Sequence, residues 1–373
     1  MARIQRVLIS VTDKSGITVF ARGLAKLGCE LISTGGTARQ LREEGLQVTD
    51  VSEVTEFPEM LDGRVKTIHP RIAGGVLAMR SNEQHMASLA EHKIPTIDMV
   101  VVNLYEFEKI AAQEDAPRHE LIENIDIGGP TMIRAAAKNY QDVAVVTSPL
   151  QYRAVYEELL KNNGELSEGT HWKLAREAFA VTAAYDRAII NKLSTLEPME
   201  APTLDIRVPL RQPLRYGENP HQAAGLFSTG ESGIAGAFKV QGKELSYNNL
   251  VDLDAAWQLI LEFDEPAAAI IKHTNPCGCA TGESLHEAYK KAFSADPISA
   301  FGGVLAFNRP VDKDTAEEVT KTFIEAIAAP GFSEEAQAIF ATKKNLRLLR
   351  VIRVNRNEET IKSISGGFLV QSA

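Results

Sequence analysis

The first half of the chain alternates short apolar runs with longer segments in which apolar residues recur at helical spacing. The apolar runs are rich in Val, Ile and Leu, which favours buried strands. They lie at residues 7–11, 30–33, 98–104 and 143–147. Strands that are apolar along their whole length are typical of a parallel sheet covered by helices on both faces.

The segments between these runs place apolar residues three or four positions apart, which predicts amphipathic helices. These helices are predicted at residues 17–27, 38–44, 130–139, 150–162 and 171–193. Strands and helices that alternate in this way form βαβ units. The first half is therefore predicted to be an α/β domain with a doubly wound parallel sheet.

A cluster of prolines interrupts this alternation. Five of the sixteen prolines fall between Pro198 and Pro220. Because proline can neither continue a helix nor donate to a strand ladder, the cluster favours an extended connection between domains. We place a first domain at residues 1–196, a linker at 197–213 and a second domain at 214–373.

A second α/β segment follows the linker. Its predicted strands are residues 268–272 and 303–307, and its predicted helices are residues 253–263, 284–293 and 314–328. The chain has 373 residues, which is enough for two domains of ordinary size. We therefore expect two α/β domains in sequence.

The composition is that of a globular protein and excludes some function classes. Hydrophobic residues make up 44% and charged residues 24% of the chain, which is too apolar for a disordered protein. There are 40 Lys and Arg against 49 Asp and Glu, so the net charge is −9. We therefore expect no nucleic acid and no membrane surface as a partner, and any anion site must be local.

The cysteines and the N-terminal residues bear on the compartment. Cys29, Cys277 and Cys279 are too few and too unevenly spaced for a disulfide framework, which favours a reducing compartment. The sequence has no signal-peptide core and no apolar stretch of about 20 residues that could span a membrane. We expect a cytoplasmic protein.

Two loops of the first half have the composition of a phosphate site. Small residues and hydroxyls follow a predicted strand and open a predicted helix at residues 33–37. The segment from Ser10 to Gly16 ends the first strand in the same way and carries Lys14. Backbone amides at such helix starts point toward an anion. Each segment could equally be a turn with helix caps, and neither is a Walker or dinucleotide fingerprint.

Two further segments carry groups suited to acid-base chemistry. In residues 63–70, extended backbone would direct Arg64 and Lys66 to one side, toward a phosphate or an oxyanion. The alternative is a solvated basic loop. Farther on, Asp126 precedes a Gly-Gly-Pro turn and a helix that carries Lys138. A carboxylate beside a lysine could exchange protons, or it could form a structural ion pair.

Five motifs of the first half match one family in order along the chain. They are SVTDKSG, STGGTARQL, FPEMLDGRVKTIHP, VVVNLYEFE and ENIDIGGPTMIRAAAKN. They resemble the IMP cyclohydrolase domain of the bifunctional AICAR transformylase/IMP cyclohydrolase family of purine biosynthesis. The resemblance implies a methylglyoxal-synthase-like fold, and the closure of formyl-AICAR to IMP with loss of water.

The resemblance also implies roles for individual residues. Contacts to phosphate and ribose are expected from Ser10, Lys14, Ser33, Thr34, Gly35, Gly36, Thr37 and Arg64. The reacting end is expected to hold Lys66, Thr67, Asn103, Tyr105, Asp126, Gly128 and Lys138. We expect Lys66 to stabilise the oxyanion and Tyr105 to donate a proton. Asp126 and Lys138 would handle the protons on nitrogen as a pair that shifts each other's pKa, and either could be the base.

The second half resembles the AICAR transformylase domain of the same family. The matching motifs are LRYGENPHQ, GKELSYNNL, IKHTNPCG and DPISAFGG. By resemblance Lys272 and His273 are the catalytic pair, Arg215 and Tyr216 bind substrate, and 10-formyltetrahydrofolate is the co-substrate. Without the family context, His273 would be interpreted as a structural histidine whose hydrogen bonds are made within a turn. The spacing of the two neighbouring cysteines does not suit zinc, so no metal is expected.

The family's chain continues beyond the last residue of this sequence. We therefore expect part of an α/β transformylase domain that is inactive alone, after a complete cyclohydrolase domain that needs no cofactor. Because the family forms homodimers, we also expect a homodimer. Two alternatives remain, namely a fully bifunctional enzyme and a non-catalytic nucleotide-binding regulatory module of the same fold.

Overall fold

The computed structural model describes residues 3–61, 65–113, 115–197, 203–228, 230, 232–352 and 359–372. The chain divides into two compact units, Met1–Thr203 and Leu204–Ala373. Among the described residues, no helix is both long enough and apolar enough to cross a lipid bilayer.

The first unit is built on five parallel strands. They are β1 (Arg6–Ser10), β2 (Glu30–Ser33), β3 (Thr49–Asp50), β4 (Met99–Val102) and β5 (Ala144–Val146). Their order across the sheet is β3-β2-β1-β4-β5, and every neighbouring pair is parallel. Every residue of β4 is buried, as expected for a central strand covered on both faces, and every residue of β5 is buried as well, although β5 lies at the edge of the sheet.

Ten helices of the first unit are described. They are α1 (Ile17–Lys26), α2 (Gly35–Glu43), α3 (Val51–Thr55), α4 (Pro70–Leu77), α5 (Glu83–Glu91), α6 (Phe107–Ala111), α7 (Arg118–Glu123), α8 (Gly128–Lys138), α9 (Pro149–Lys161) and α10 (Glu168–Leu196). α1 packs with α2 and α9, whereas α8 packs with α4 and α10. The doubly wound parallel sheet predicted from the sequence is therefore confirmed.

The second unit contains a six-stranded mixed sheet in the order β10-β9-β11-β12-β13-β8. Its strands are β8 (Phe238–Gln241), β9 (Ala267–Lys272), β10 (Asn275–Thr281), β11 (Val304–Phe307), β12 (Ala326–Ala329) and β13 (Arg347–Arg350). β11, β12 and β13 are parallel, and the other pairs are antiparallel. Alternate residues of β9 enter two separate hydrophobic clusters, one on each face of the sheet.

The helices of the second unit cover this sheet. They are α11 (Gly233–Gly236), α12 (Tyr247–Ile260), α13 (Leu285–Ala295), α14 (Pro297–Ala300), α15 (Lys313–Val319) and α16 (Glu334–Ala341). The helix predicted at 314–328 is wrong beyond Val319, because Ala326–Ala329 is a fully buried strand. A short apolar run fits a buried strand and a buried helix equally well, and here pairing on both sides within the sheet decides for the strand.

Two small hairpins complete the second unit. β6 (Leu210–Leu214) pairs with β7 (Ala224–Phe227), and β14 (Thr360–Ile364) pairs with β15 (Gly367–Gln371). β6 begins inside the segment that the prolines marked as a linker. It accommodates Pro213 because this strand pairs on one side only in the two-stranded sheet.

Candidate active site

A cavity of about 1170 Å³ opens in the first unit where β1, β2 and β4 end. Ser10 is the last residue of β1, Thr34 follows β2 and Asn103 follows β4, and all three line the cavity. On one side of β1 the sheet continues through β2 to β3, and on the other through β4 to β5. Open α/β sheets bind their ligands at such a reversal of strand order.

Most of the residues predicted for the first-domain site line this cavity. They are Ser10, Lys14, Thr34, Gly36, Thr37, Lys66, Thr67, Asn103, Tyr105, Asp126 and Gly128. Ser33 is fully buried instead, and its hydroxyl donates to the carbonyl of Ile9 at 2.7 Å, which ties β2 to β1. Gly35 begins α2. Arg64 lies outside the described residues.

The start of α2 has the features of an anion site. Thr34, the residue before α2, makes no side-chain capping bond. The ammonium group of Lys66 lies 3.4 Å from the point where a Cβ on Gly35 would be, and that of Lys14 lies 3.5 Å from the same point on Gly36. Two glycines therefore allow two cations to approach the positive end of a nine-residue helix.

Asn103 holds the loop that carries Lys14. Its Oδ1 accepts hydrogen bonds from the backbone N–H groups of Thr12 at 2.6 Å and Asp13 at 3.0 Å. Its Nδ2 donates to the carbonyl of Asp13 at 2.8 Å. The side-chain amide is thus engaged with this loop, one residue before Lys14, although the family resemblance assigned Asn103 to the reacting end.

Asp126 lies before α8 with its carboxylate over the start of the helix. Oδ1 accepts the backbone N–H of Gly129 at 2.8 Å. Burial raises the pKa of Asp126 above its ordinary value of 3.8, against the lowering effect of backbone N–H donors and of the positive charge of Lys66. A partly desolvated carboxylate of this kind is a stronger base than an exposed one.

Tyr105 and Lys66 line the cavity beside Asp126. Burial raises the pKa of the Tyr105 hydroxyl, and the negative charge of Asp126 adds to this shift. The hydroxyl therefore keeps its proton at neutral pH. Lys66 is close enough to Asp126 to lower the pKa of that carboxyl, and it also lies over the start of α2. Lys66 thus lies beside both the start of α2 and the Asp126 carboxylate.

Lys138 is the predicted reacting residue that the structure does not bring to the cavity. It is exposed in the last turn of α8, while Asp126 lies just before the first turn. α8 has eleven residues, and a rise of 1.5 Å per residue separates its ends by about 15 Å. The expected pairing of Asp126 with Lys138 is therefore not formed within this chain, and Lys66 is the cation close to Asp126.

Gly129 belongs to the site although the sequence suggested only a turn. A Cβ on this residue would overlap the Asp126 carboxylate and would lie 2.7 Å from Cδ2 of Leu104. Real Cβ atoms do not approach other atoms so closely, so only glycine fits without displacing the carboxylate. In the sequence, the pair of glycines at the start of α8 is the signal that another group approaches the backbone closely there.

We expect Gly129→Ala to lower turnover at this site at least tenfold and to cost about 1–3 kcal/mol of stability, because the added methyl must displace Asp126 or Leu104. The matched control is Gly169→Ala. Gly169 is also the second residue of its helix, and apart from its chain neighbours and the backbone of its own helix no atom of the described residues lies within 4 Å of its would-be Cβ. Thermal unfolding and steady-state kinetics of both variants test this, and equal behaviour of the two would contradict it.

The residues predicted for the second domain lie in the second unit. Lys272 ends β9, and its ammonium group donates to the carbonyl of Phe301 at 3.0 Å. His273 is exposed in the turn between β9 and β10. Arg215 follows β6 and lies over the ring of Tyr216, with the guanidinium carbon 5.5 Å from the ring centroid.

The β9–β10 turn has an unusual backbone. His273 and Thr274 have φ of 53° and 61°, the left-handed region that non-glycine residues rarely adopt. Asp252 of α12 accepts the backbone N–H of Thr274 at 2.8 Å and faces that of His273 at 3.4 Å. Strained residues of this kind concentrate at functional sites.

The two neighbouring cysteines do not form a metal site in the structure. Cys277 and Cys279 of β10 pack into the clusters on opposite faces of the sheet. Over the described ranges, no group of three or more His, Cys, Asp or Glu side chains is arranged to hold a metal ion.

Comparisons with known proteins give two family matches. The model of the MGS-like domain matches residues 16–131, which include most of the cavity lining. The model of the AICARFT/IMPCHase bienzyme matches residues 136–373, which is more than half of the chain. The crystal structure of ForH is 33% identical over 52% of this chain and 100% of its own, with a TM-score of 0.46.

Proposed function

Since the chain belongs to the AICARFT/IMPCHase bienzyme family, we propose that its first unit is an IMP cyclohydrolase that closes formyl-AICAR to IMP. One observation carries the proposal. Lys66, Tyr105 and Asp126 line a single cavity together with the start of α2 and with Lys14. Ring closure of a nucleotide requires both a phosphate site and groups that move protons at the reacting atoms.

The nucleotide phosphate is proposed to bind at the start of α2. Backbone N–H groups of the first turn and the ammonium group of Lys14 would neutralise it. Thr37 contributes by shaping the loop, because its hydroxyl donates to the carbonyl of Val11 at 3.0 Å and accepts the N–H of Val11 at 3.2 Å. The base of the nucleotide would then extend toward Asp126.

The proposed reaction moves two protons from nitrogen to oxygen. The carboxamide nitrogen attacks the formyl carbon, which forms the ring C–N bond and places negative charge on the formyl oxygen. Asp126 takes the first proton from nitrogen, Lys66 stabilises the oxyanion, and Tyr105 protonates that oxygen. The formamide nitrogen then loses its own N–H proton and the hydroxyl leaves with a second proton as water, which gives the C=N bond of IMP.

The direct test is to mix the protein with formyl-AICAR and to measure IMP. We expect IMP to form without added metal or cofactor. Binding of formyl-AICAR without any IMP would instead support the alternative of a nucleotide-binding regulatory module. That outcome would overturn the cyclohydrolase proposal, because the protein would hold the substrate and still leave the ring open.

We infer that the second unit by itself carries no active transformylase site. The reason is the exposure of His273 on a turn, where its ring is open to water. Formyl transfer requires the amine, the donor carbonyl and the proton relay to be held in near-attack geometry, and about 1 Å of misplacement can cost 10²-fold.

We therefore expect no formyl-AICAR when the protein is incubated with AICAR and 10-formyltetrahydrofolate. Formylation that is lost in a His273→Ala variant would establish the fully bifunctional alternative. Formylation that survives this substitution would come from a contaminating activity, so the variant is the control for the assay.

A further inference from the structure

A small hydrophobic cluster lies behind the acid-base end of the cavity. Phe107, Leu121 and Tyr185 are its buried members, and it is separate from the main core of the first unit. Tyr185 comes from α10, 59 residues along the chain from Asp126. The cluster therefore joins a helix that lines no part of the cavity to the segments that carry Tyr105 and Asp126.

The hydroxyl of Tyr185 bonds to the backbone on both sides of Ile125. It accepts the N–H of Asp126 at 2.8 Å and donates to the carbonyl of Asn124 at 3.3 Å. The side chain is only 8% exposed, so water does not readily replace these bonds. Burial raises the pKa of Tyr185, which keeps the hydroxyl protonated and able to donate.

Asp126 is consequently held at its backbone as well as at its carboxylate. Tyr185 holds its backbone N–H, and the N–H of Gly129 holds its carboxylate. The same cluster reaches Tyr105, because Phe107 meets the Tyr185 ring edge-on with the centroids 6.3 Å apart. Phe107 also donates its backbone N–H to the carbonyl of Tyr105 at 2.8 Å. The same hydrophobic cluster therefore supports the backbone positions of both Tyr105 and Asp126.

We propose that Tyr185 is a positioning residue for ring closure, in that its buried hydroxyl fixes the Asn124–Asp126 backbone and so aims the Asp126 carboxylate at the reacting nitrogen. This inference rests on the proposed cyclohydrolase function. Tyr185 does not line the cavity, so its effect reaches the substrate only through Asp126. It should therefore contribute to turnover and not to the binding of the nucleotide phosphate.

The first experiment compares Tyr185→Phe with the wild-type protein in the IMP-forming assay. We expect kcat to fall by roughly 10- to 100-fold, because a carboxylate misplaced by about 1 Å loses that much, while KM changes less than threefold. Tyr152→Phe is the matched control. Tyr152 is also buried in the first unit, but its hydroxyl has no hydrogen-bond partner among the described residues.

The second experiment separates positioning from a general loss of structure. In an Asp126→Asn background, Tyr185→Phe should lower kcat less than twofold, because a residue that acts through Asp126 has nothing left to position. Equal losses in both backgrounds would show that Tyr185 supports the fold in general. A wild-type kcat in the single variant would also overturn the inference.

Failure of the proposed function gives a different result. If the wild-type protein forms no IMP, the cyclohydrolase proposal falls and the positioning role falls with it. Faster hydrogen exchange at residues 124–129 in Tyr185→Phe would then report only the loss of the two hydrogen bonds. An active wild type with an unaffected Tyr185→Phe variant overturns the positioning role alone.

Discussion

Replacement of Asp126 by asparagine is expected to lower the conversion of formyl-AICAR to IMP by roughly 10²–10³-fold, while the affinity for the nucleotide changes only a few-fold. Asparagine has nearly the same shape and can still accept the hydrogen bond from the N–H of Gly129. It cannot take a proton from nitrogen at neutral pH. The loss should therefore appear in kcat, measured beside a direct titration of nucleotide binding.

The raised pKa of Asp126 also predicts the direction in which the rate changes with pH. Burial raises the pKa of Asp126 above 3.8, so the carboxylate becomes protonated at a higher pH than an ordinary aspartate does. A base is active only when deprotonated, and the rate in the wild-type protein should fall as pH is lowered through this raised pKa. In Asp126→Asn this acidic limb should be absent from the pH profile of kcat.

A matched control exists in the second unit. Asp312 accepts the N–H of Thr315 at 2.9 Å, the same three-residue capping bond that Asp126 makes with Gly129. Asp312→Asn therefore repeats the chemical change at an aspartate of the other unit that accepts the same i to i+3 backbone bond, and it should leave IMP formation unchanged. Near-normal turnover in Asp126→Asn, or an equal loss in Asp312→Asn, would remove Asp126 from the mechanism.

Replacement of Lys66 by alanine is expected to lower kcat by a similar factor of about 10²–10³, because a contact to the developing oxyanion strengthens as charge builds up in the transition state. Lys14→Ala is the natural comparison. Both ammonium groups lie over the start of α2, but only that of Lys66 is near enough to lower the pKa of Asp126.

The two lysine variants should therefore differ in which constant changes. Lys14→Ala should raise KM about tenfold or more with kcat nearly unchanged, because a phosphate contact is the same in the ground state and in the transition state. Steady-state kinetics of both variants checks this difference. If Lys66→Ala raised KM and left kcat unchanged, Lys66 would be assigned to the phosphate. The proposed mechanism would then have no cation that stabilises the oxyanion.

Several elements could be predicted from local sequence because each is set by residues close in the chain. β2 has the predicted bounds, and β1 is displaced by one residue. The predicted starts of α2 and α8, residues 38 and 130, are later than the observed ones, because paired glycines in a sequence are typical of a loop. In the structure these glycines belong to the first turns of the two helices, where the missing Cβ leaves room for Lys66 and for the Asp126 carboxylate.

The α/β class, the parallel sheet of the first unit and the family can be identified from the sequence, since apolar runs, helical spacing and ordered motifs are all local properties. Which charged groups lie close together depends instead on how the chain folds. Lys138 shares a helix with the turn after Asp126, yet the length of α8 separates the two side chains. Lys66 and Tyr185 are each about 60 residues away in the chain and lie beside Asp126. Spacing along the chain defines neighbours within one helix or strand, whereas the order of strands in the sheet and the packing of helices on it define the rest.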